Sequence, residues 1–353
     1  MNASLHNRNC FDIIRHIAAL AVIVSHHYSL NNMRPPAMPG FIDLGGASVA
    51  IFFAISGYLV TQSFDRSPKF SSFIEKRLRR IFPALIVCAL MLIYILSPFY
   101  QNNKYDYILS GQNLVNAIKL ITLLPVEVPN IYSGYKYPSY INGSLWTLPM
   151  EFLCYVILAL ALSLHKTWKT PAILLGLIIL IGVTTPEATI STASYYEIHL
   201  KWIIKLSLCF VTGSILAMTQ SAWSSQKSKL LLFAISALLI IATDGRLEIN
   251  ILGFISISVI TIMIGTSFKE SIIKGRFDIS YGLYIYAFPV QQVISNETSL
   301  TFYEGLIVSI LTTSLLAYAS WTFVEKRFIL KPKKPTKLSG QNIADSESRK
   351  VEI

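Results

Sequence analysis

Apolar stretches of roughly 14 to 20 residues dominate the chain, and a helix that crosses a bilayer needs about 20 such residues. Hydrophobic residues make up 53% of the 353 residues, and charged residues only 14%. A soluble domain carries about 25% charged residues, so this composition excludes an ordinary soluble protein. The sequence therefore predicts an all-α fold, a polytopic membrane helix bundle.

Ten of these stretches are predicted to cross the membrane. They are Ile13–Ser29, Ser48–Ser63, Ile81–Ser97, Leu145–Leu164, Ala172–Thr185, Trp202–Thr219, Leu230–Thr243, Ile249–Ser267, Ile279–Ile294 and Leu306–Val324. The fifth and the seventh are short for a complete crossing. Those two could be tilted, extended into their flanks or re-entrant, so the expected number of transmembrane helices is about ten.

The net charge of +11 arises from 30 Lys and Arg residues against 19 Asp and Glu residues. When the ten stretches alternate and the N-terminus is cytoplasmic, most of the basic residues fall in cytoplasmic segments. This positive-inside pattern places both termini in the cytoplasm, and it indicates a lipid bilayer and no nucleic acid as the partner. Residues 1–330 are predicted to form one membrane domain. Residues 331–353 are predicted to be a disordered, basic cytoplasmic tail.

Arg15 and His26 lie in the first apolar stretch, on one face of the predicted helix, because eleven steps of about 100° return nearly to the same side. They are about 16 Å apart along the helix axis at 1.5 Å per residue. Ionisable groups at membrane depth are costly and usually functional, so the two side chains are predicted to serve opposite ends of one long ligand. The alternative is that Arg15 only sets topology and His26 lies among the lipid headgroups.

Arg77 and Arg80 are three residues apart, hence neighbours on one helical face, and paired guanidinium groups suit phosphates. The alternative role of this basic run is to set topology. Glu151 lies inside the fourth stretch, where it must face a cavity or find a partner from another helix. A carboxylate that orients an imidazole is a familiar general-base arrangement, although a structural role in anchoring a loop is also open.

The order and spacing of several motifs resemble the membrane acyltransferase-3 family, the bacterial integral-membrane O-acyltransferases that modify surface polysaccharides. The resemblance covers residues 8–330. The matching residues are Asp12-x-x-Arg15 with His26, Phe52-Phe53-x-x-Ser56-Gly57-Tyr58-Leu59, Arg77-x-x-Arg80-Ile81-x-Pro83, Gly143-Ser144-Leu145-Trp146-x-Leu148-x-x-Glu151, Ile279-Ser280-Tyr281-Gly282-Leu283-Tyr284 with Pro289, and Phe323-Val324-Glu325-Lys326.

The resemblance implies transfer of an acyl group, most simply acetyl, from cytoplasmic acetyl-CoA to a glycan acceptor on the far side of the bacterial inner membrane. His26 is then expected to be the general base, with Glu151 as its partner or as an acceptor-binding residue. Arg15, Arg77 and Arg80 are expected to bind the donor. Candidates for binding the substrate or the oxyanion are Ser56, Ser144, Trp146 and Tyr58. Ser56 has a competing role in helix packing.

The chain departs from the family pattern at one position. The family usually has a histidine two residues before Pro289, where this chain has Ala287. A transporter or flippase for a lipid-linked glycan also fits ten helices with charges at membrane depth, although no internal repeat is found. No metal is predicted, because the four cysteines lack the spacing of a metal site. The acceptor glycan, the acyl chain length and the oligomeric state stay open.

Overall fold

A computed structural model describes residues 9–38, 42–138, 140–195, 198–242, 250–270, 272–273 and 277–329, and these are predominantly helical. The predicted tail, 331–353, lies outside the described residues. The helices are α1 (Phe11–Leu30), α2 (Leu44–Arg66), α3 (Phe70–Leu90), α4 (Lys104–Leu109), α5 (Gly111–Ile121), α6 (Thr147–Leu164), α7 (Lys169–Thr184), α8 (Glu187–Thr192), α9 (Leu200–Met218), α10 (Gln220–Trp223), α11 (Gln226–Ala242), α12 (Ile251–Ser267), α13 (Ser280–Glu297), α14 (Phe302–Ser320) and α15 (Lys326–Ile329).

Shorter elements complete the described chain. A π-helical turn, Met91–Leu96, and a 3₁₀ turn, Ser97–Tyr100, extend α3, and the π-helical turn Trp321–Glu325 joins α14 to α15. Two antiparallel two-stranded ribbons pair β1 (Ala37–Met38) with β2 (Ile42–Asp43), and β3 (Ser194–Tyr195) with β4 (Ile198–His199). Both ribbons lead directly into long helices, α2 and α9.

Six helices of the described chain are long and apolar enough to cross a membrane. They are α1, α2, α3 with its extension, α6, α9, and α14 with its extension. Two further apolar helices, α7 and α12, are shorter. Each of the ten predicted stretches overlaps a helix, the remaining two being α11 and α13. A multi-pass helical bundle is therefore confirmed, while ten crossings and cytoplasmic termini stay predictions.

Helix α2 lies at the centre of the bundle, where it packs against α1, α9 and α12. Its approach to α9 is very close: a Cβ atom added to Gly57 would lie 1.9 Å from the Phe210 carbonyl oxygen, and one added to Gly213 would lie 2.1 Å from the Ala54 oxygen. Small residues permit such contact between membrane helices. One turn after Gly57, the Thr61 hydroxyl donates a hydrogen bond of 2.8 Å to the Ser214 hydroxyl and so also joins the two helices.

Replacing Gly57 with valine is expected to separate α2 from α9. The added atoms meet backbone, which cannot rotate away, so we expect a loss of about 3 kcal/mol of stability or failure to assemble. Thermal unfolding in detergent measures the effect. Gly176→Val on α7 is the matched control, because a Cβ atom there meets nothing within 4 Å. Equal melting temperatures for the two variants would contradict the prediction.

The segment between α3 and α6 folds back over the end of the bundle at which α1 ends. The Tyr135 hydroxyl donates to Glu297 at the end of α13, and the Lys136 ammonium donates to the Ser29 carbonyl oxygen in α1. Gln292 of α13 donates to the Tyr137 carbonyl oxygen at 3.0 Å. These contacts hold the segment against the ends of α1 and α13, so that polar side chains cover this end of the bundle.

Candidate functional site

His26 lines a cleft of about 200 Å³. The end of α1, the start of α2, and the residues around the starts of α6 and α9 form its walls. The lining residues are Val22, Ser25, His26, Ser29, Pro35, Asp43, Gly45, Gly46, Val49, Trp146, Trp202 and Tyr284. Five helices, α13 with Tyr284 included, thus bring an imidazole, a carboxylate, two indoles and a phenol to one cavity.

The His26 ring is held by packing. It stands edge-on to Phe288, with ring centroids 5.6 Å apart. Its Nδ1 atom is buried and has no hydrogen-bond partner among the described residues. Since a buried polar atom without a partner is costly, this imidazole is kept in a site where a ligand group can complete its hydrogen bonding.

Asp43 is the carboxylate in this cavity, and sequence reasoning missed it. It caps α2, accepting a hydrogen bond of 2.8 Å from the Gly46 backbone N–H, and it interacts electrostatically with His26. The available signal was an Asp immediately before an apolar helix, which is a typical N-cap. The cap fixes the carboxylate, so a negative charge is available to stabilise an imidazolium at His26.

One wall of the cavity is aromatic. The Trp146 and Trp202 rings lie 5.8 Å apart at an angle of 58°. The Lys205 ammonium lies 5.2 Å from the Trp202 ring centroid. Trp146 was predicted to bind substrate, whereas Trp202 was not singled out, because nothing in its local sequence separates it from an interfacial tryptophan.

A row of polar side chains follows one face of α6 away from the cavity. Thr147, Glu151 and Tyr155 recur every four residues and so face the same side; we call them the polar ladder. Thr147 shares a hydrogen bond of 2.7 Å with the hydroxyl of Tyr284, which lines the cavity. Ser56 of α2 donates to Glu151 at 2.6 Å and lies 2.8 Å from the Tyr155 hydroxyl, which also donates to Glu151.

Arg77 stands at the far end of the polar ladder. Its guanidinium carbon lies 5.9 Å from the ring centroids of both Tyr155 and Phe73. Its Nε atom is buried without a hydrogen-bond partner among the described residues. A desolvated cation over aromatic faces interacts favourably with them, and the open Nε–H leaves a donor for a ligand.

Arg15 and Arg80 meet at a single carboxylate, that of Asp278. The Oδ2 atom of Asp278 lies 2.9 Å from Arg15 and 2.6 Å from Arg80. Arg80 also lies 4.0 Å from Glu325, whose side chain is 1% exposed. Burial alone would raise the pKa of Asp278, but the two guanidinium groups outweigh it and hold that pKa below its usual range. Asp278 is therefore ionised at neutral pH.

The remaining site candidates lie apart from the cavity lining. Tyr58 is 2% exposed and packs against Phe11, with ring centroids 5.3 Å apart. Ser144 is also buried, and its backbone N–H is bound by Asn142 at 3.0 Å. Glu151 has Ser56 and Tyr155 as its hydrogen-bond partners, so it is placed on the polar ladder and is not hydrogen-bonded to His26.

Arg77 and Arg80 share a helix face, as expected, but have different partners. Arg77 contacts the ladder, and Arg80 contacts Asp278. Ala287, at the position of the family histidine, is fully buried in a cluster of small and aliphatic side chains that includes Ala19 and Ala317. The described residues contain no group of three or more His, Cys, Asp and Glu side chains that could hold a metal ion.

Comparison with known proteins identifies the family. A family model described as an acyltransferase domain matches residues 8–324. The chain is 38% identical over 330 residues to an O-acetyl transferase of Shigella phage Sf6, covering 92% of this chain and 97% of the relative. It is 25% identical over 351 residues to Nodulation protein 10 of Rhizobium leguminosarum bv. viciae, covering 91% and 93%.

A third relative matches over a shorter region. The chain is 29% identical over 132 residues to the exopolysaccharide production protein ExoZ of Rhizobium meliloti, covering 37% of this chain and 38% of the relative. No solved structure matches the chain significantly. Because the family model spans nearly the whole helical bundle, including every residue of the cavity and the ladder, the chain belongs to the membrane acyltransferase-3 family.

Proposed function

We propose that the protein transfers an acetyl group from cytoplasmic acetyl-CoA to a hydroxyl of a cell-surface polysaccharide, such as O-antigen or exopolysaccharide, across the bacterial inner membrane. One observation carries the proposal: the polar ladder on α6 leads from Tyr155, beneath the Arg77 guanidinium group, to Thr147, which shares a hydrogen bond with Tyr284 in the wall of the His26 cavity. The names of the relatives, an O-acetyl transferase and an exopolysaccharide production protein, support it.

In this proposal the donor lies along the polar ladder. Arg15 and Arg80 bind phosphates of acetyl-CoA, because guanidinium groups match phosphate oxygens in geometry and charge. Arg77 binds the donor where the polar ladder begins. The extended arm of the donor runs along Thr147, Glu151 and Tyr155, whose hydroxyl and carboxylate groups can bind its amides. The thioester then reaches the cavity at His26.

His26 acts as the general base. It takes the proton from the acceptor hydroxyl while the hydroxyl oxygen attacks the thioester carbonyl carbon. As the tetrahedral intermediate collapses, the carbon–sulfur bond breaks and the imidazolium returns its proton to the leaving thiolate. The Asp43 carboxylate stabilises the imidazolium between these two steps. In an alternative route, His26 first accepts the acetyl group covalently and then passes it to the acceptor.

The start of α2 supplies electrostatic stabilisation of the oxyanion. Gly45 lines the cavity at this helix N-terminus, where its backbone N–H group and the helix dipole favour negative charge. The Gly46 N–H already donates to Asp43. Ser56 donates to Glu151, so its hydrogen is already engaged. Helix α2 therefore contributes twice, through the capping carboxylate at Asp43 and through its own backbone.

Transfer of labelled acetyl from acetyl-CoA into polysaccharide by isolated membranes tests the proposed function. Membranes that contain the protein should label the glycan, and membranes without it should not. Mass spectrometry of surface glycans from cells with and without the gene then identifies the acetylated sugar. A flippase would change the location of the glycan but not its mass. Each acetyl group added by a transferase increases the mass by about 42 Da. Absence of label from the glycan in membranes that contain the folded protein and are supplied with acetyl-CoA would contradict the proposal.

Replacing Trp202 with alanine is expected to weaken acceptor binding. An indole face against a sugar ring resembles other aromatic contacts worth about 0.5–1.5 kcal/mol, so the KM for the acceptor should rise about 2- to 10-fold. The KM for acetyl-CoA should stay unchanged, since Trp202 lies in the cavity and not on the ladder. Trp168→Ala at the start of α7, where the side chain is 51% exposed, is the control. Equal acceptor KM values for the two variants would exclude Trp202 from the acceptor site.

A further inference from the structure

The cationic end of the donor path is already occupied by a carboxylate of the protein itself. Both Arg15 and Arg80 bind the same oxygen, Oδ2 of Asp278, at 2.9 and 2.6 Å. The other oxygen, Oδ1, accepts a hydrogen bond of 2.7 Å from Ser280. Two guanidinium groups that converge on one oxygen from different helices form a built site for a single anionic oxygen.

We propose that Asp278 is a resident anion which occupies the phosphate site of the donor, so that a phosphate of acetyl-CoA binds Arg15 and Arg80 by displacing this carboxylate. The inference rests on the proposed function, because it assigns the same donor to the same arginines. It adds that donor affinity is set by competition with Asp278. Carboxylate and phosphate oxygens fit the same guanidinium donors, which makes the exchange chemically matched.

The position of Asp278 permits its displacement. Residues 277–279 lie outside regular secondary structure, immediately before α13. The carboxylate is 19% exposed, and each arginine side chain is 20% exposed, so a ligand can approach all three from outside the bundle. Once displaced, Asp278 keeps its hydrogen bond to Ser280 and remains near the N-terminus of α13, where a negative charge is favoured.

The charges around the site balance in both states. Glu325 is buried 4.0 Å from Arg80 and accepts a hydrogen bond of 3.0 Å from Ser320. When Asp278 is in place, two cations face two carboxylates. When Asp278 leaves, Glu325 still offsets part of the charge, and the remaining positive charge attracts an incoming phosphate. An anion therefore faces the two guanidinium groups both when Asp278 is in place and when a phosphate has replaced it, which avoids the usual penalty for breaking a buried ion pair.

Binding of CoA to the full chain purified in detergent, measured by calorimetry, tests the inference. Asp278→Asn removes the competing charge and keeps the shape of the side chain. If the carboxylate occupies the arginines about 90% of the time, its removal tightens the apparent Kd about tenfold, because affinity scales with the fraction of competent sites. Asp65→Asn is the control, since Asp65 forms an exposed ion pair with Lys166 at 2.7 Å; its Kd should equal that of the wild type.

The outcomes separate this inference from the proposed function. CoA binding by the wild type with equal or weaker binding by Asp278→Asn overturns the competition and leaves the proposed function standing. Failure of the wild type to bind CoA overturns both. If Asp278→Asn unfolds without ligand, CoA is supplied during extraction and the melting temperature is measured as the CoA concentration is increased. A larger increase in melting temperature for the variant than for the wild type supports the inference. An increase that is no larger than that of the wild type overturns it.

Discussion

Replacing His26 with alanine is expected to lower acetyl transfer by about 10²- to 10⁴-fold, the contribution typical of a general base. The imidazole is the ring in the cavity that can accept a proton from a hydroxyl, and its Nδ1 atom lacks a protein partner among the described residues. The loss should appear in kcat, because the base acts on the transition state and not on ground-state binding. Labelled acetyl transfer in isolated membranes measures it.

His27 provides the internal control for this variant. It is the next residue on α1, but its Nε2 atom is 2.8 Å from the Phe302 carbonyl oxygen and its side chain is buried against α14. His27→Gln should change thermal stability more than the rate of chemistry. Added imidazole should restore part of the activity of His26→Ala. Full activity of His26→Ala, at wild-type protein levels in the membrane, would exclude His26 as the base.

Replacing Arg77 with alanine is expected to lower kcat/KM for acetyl-CoA by about 10- to 150-fold, which corresponds to the roughly 1.5–3 kcal/mol of a hydrogen bond to a charged group. The guanidinium group is the cation at the far end of the polar ladder, over the Tyr155 ring. Its removal takes away the proposed donor contact and a positive charge that interacts electrostatically with Glu151. The dependence of transfer on acetyl-CoA concentration measures the effect.

Arg79, in the same basic run, is the matched control. It pairs with Glu75 one turn earlier on α3, at 2.6 Å, and both side chains reach solvent. Exposed pairs of this kind contribute about 0–1 kcal/mol, so Arg79→Ala should retain activity close to that of the wild type. Equal losses for Arg77→Ala and Arg79→Ala would show that total basic charge matters and the ladder does not.

The sequence predicted the helices, and it predicted that Arg15 and His26 share one of them, for physical reasons. An apolar stretch has to be helical in a bilayer, and helical periodicity fixes which residues of α1 share a face. The helix face of Arg15 and His26 could therefore be predicted from the number of residues between them. The family motifs added Glu151 and Trp146, which the structure places on the polar ladder and in the cavity.

The partners of those groups could not be predicted, because they come from distant parts of the chain. Glu151 meets Ser56 across 95 residues, and Arg15 meets Asp278 across 263. Local patterns carry no information about such contacts. For the same reason Asp43 went unrecognised as a cavity residue, and Tyr58 received a substrate role although the packing of α2 turns it toward Phe11.

The tight seam between α2 and α9 bears on how any cargo passes. Carriers that alternate between inward-open and outward-open shapes rely on halves of the protein that rock against each other. Here the backbones of α2 and α9 lie against each other at Gly57 and Gly213, a contact that leaves no room for these two helices to slide past each other. The proposed transfer across the membrane would then depend on the length of the extended donor molecule, and it would not require the two halves of the protein to rock.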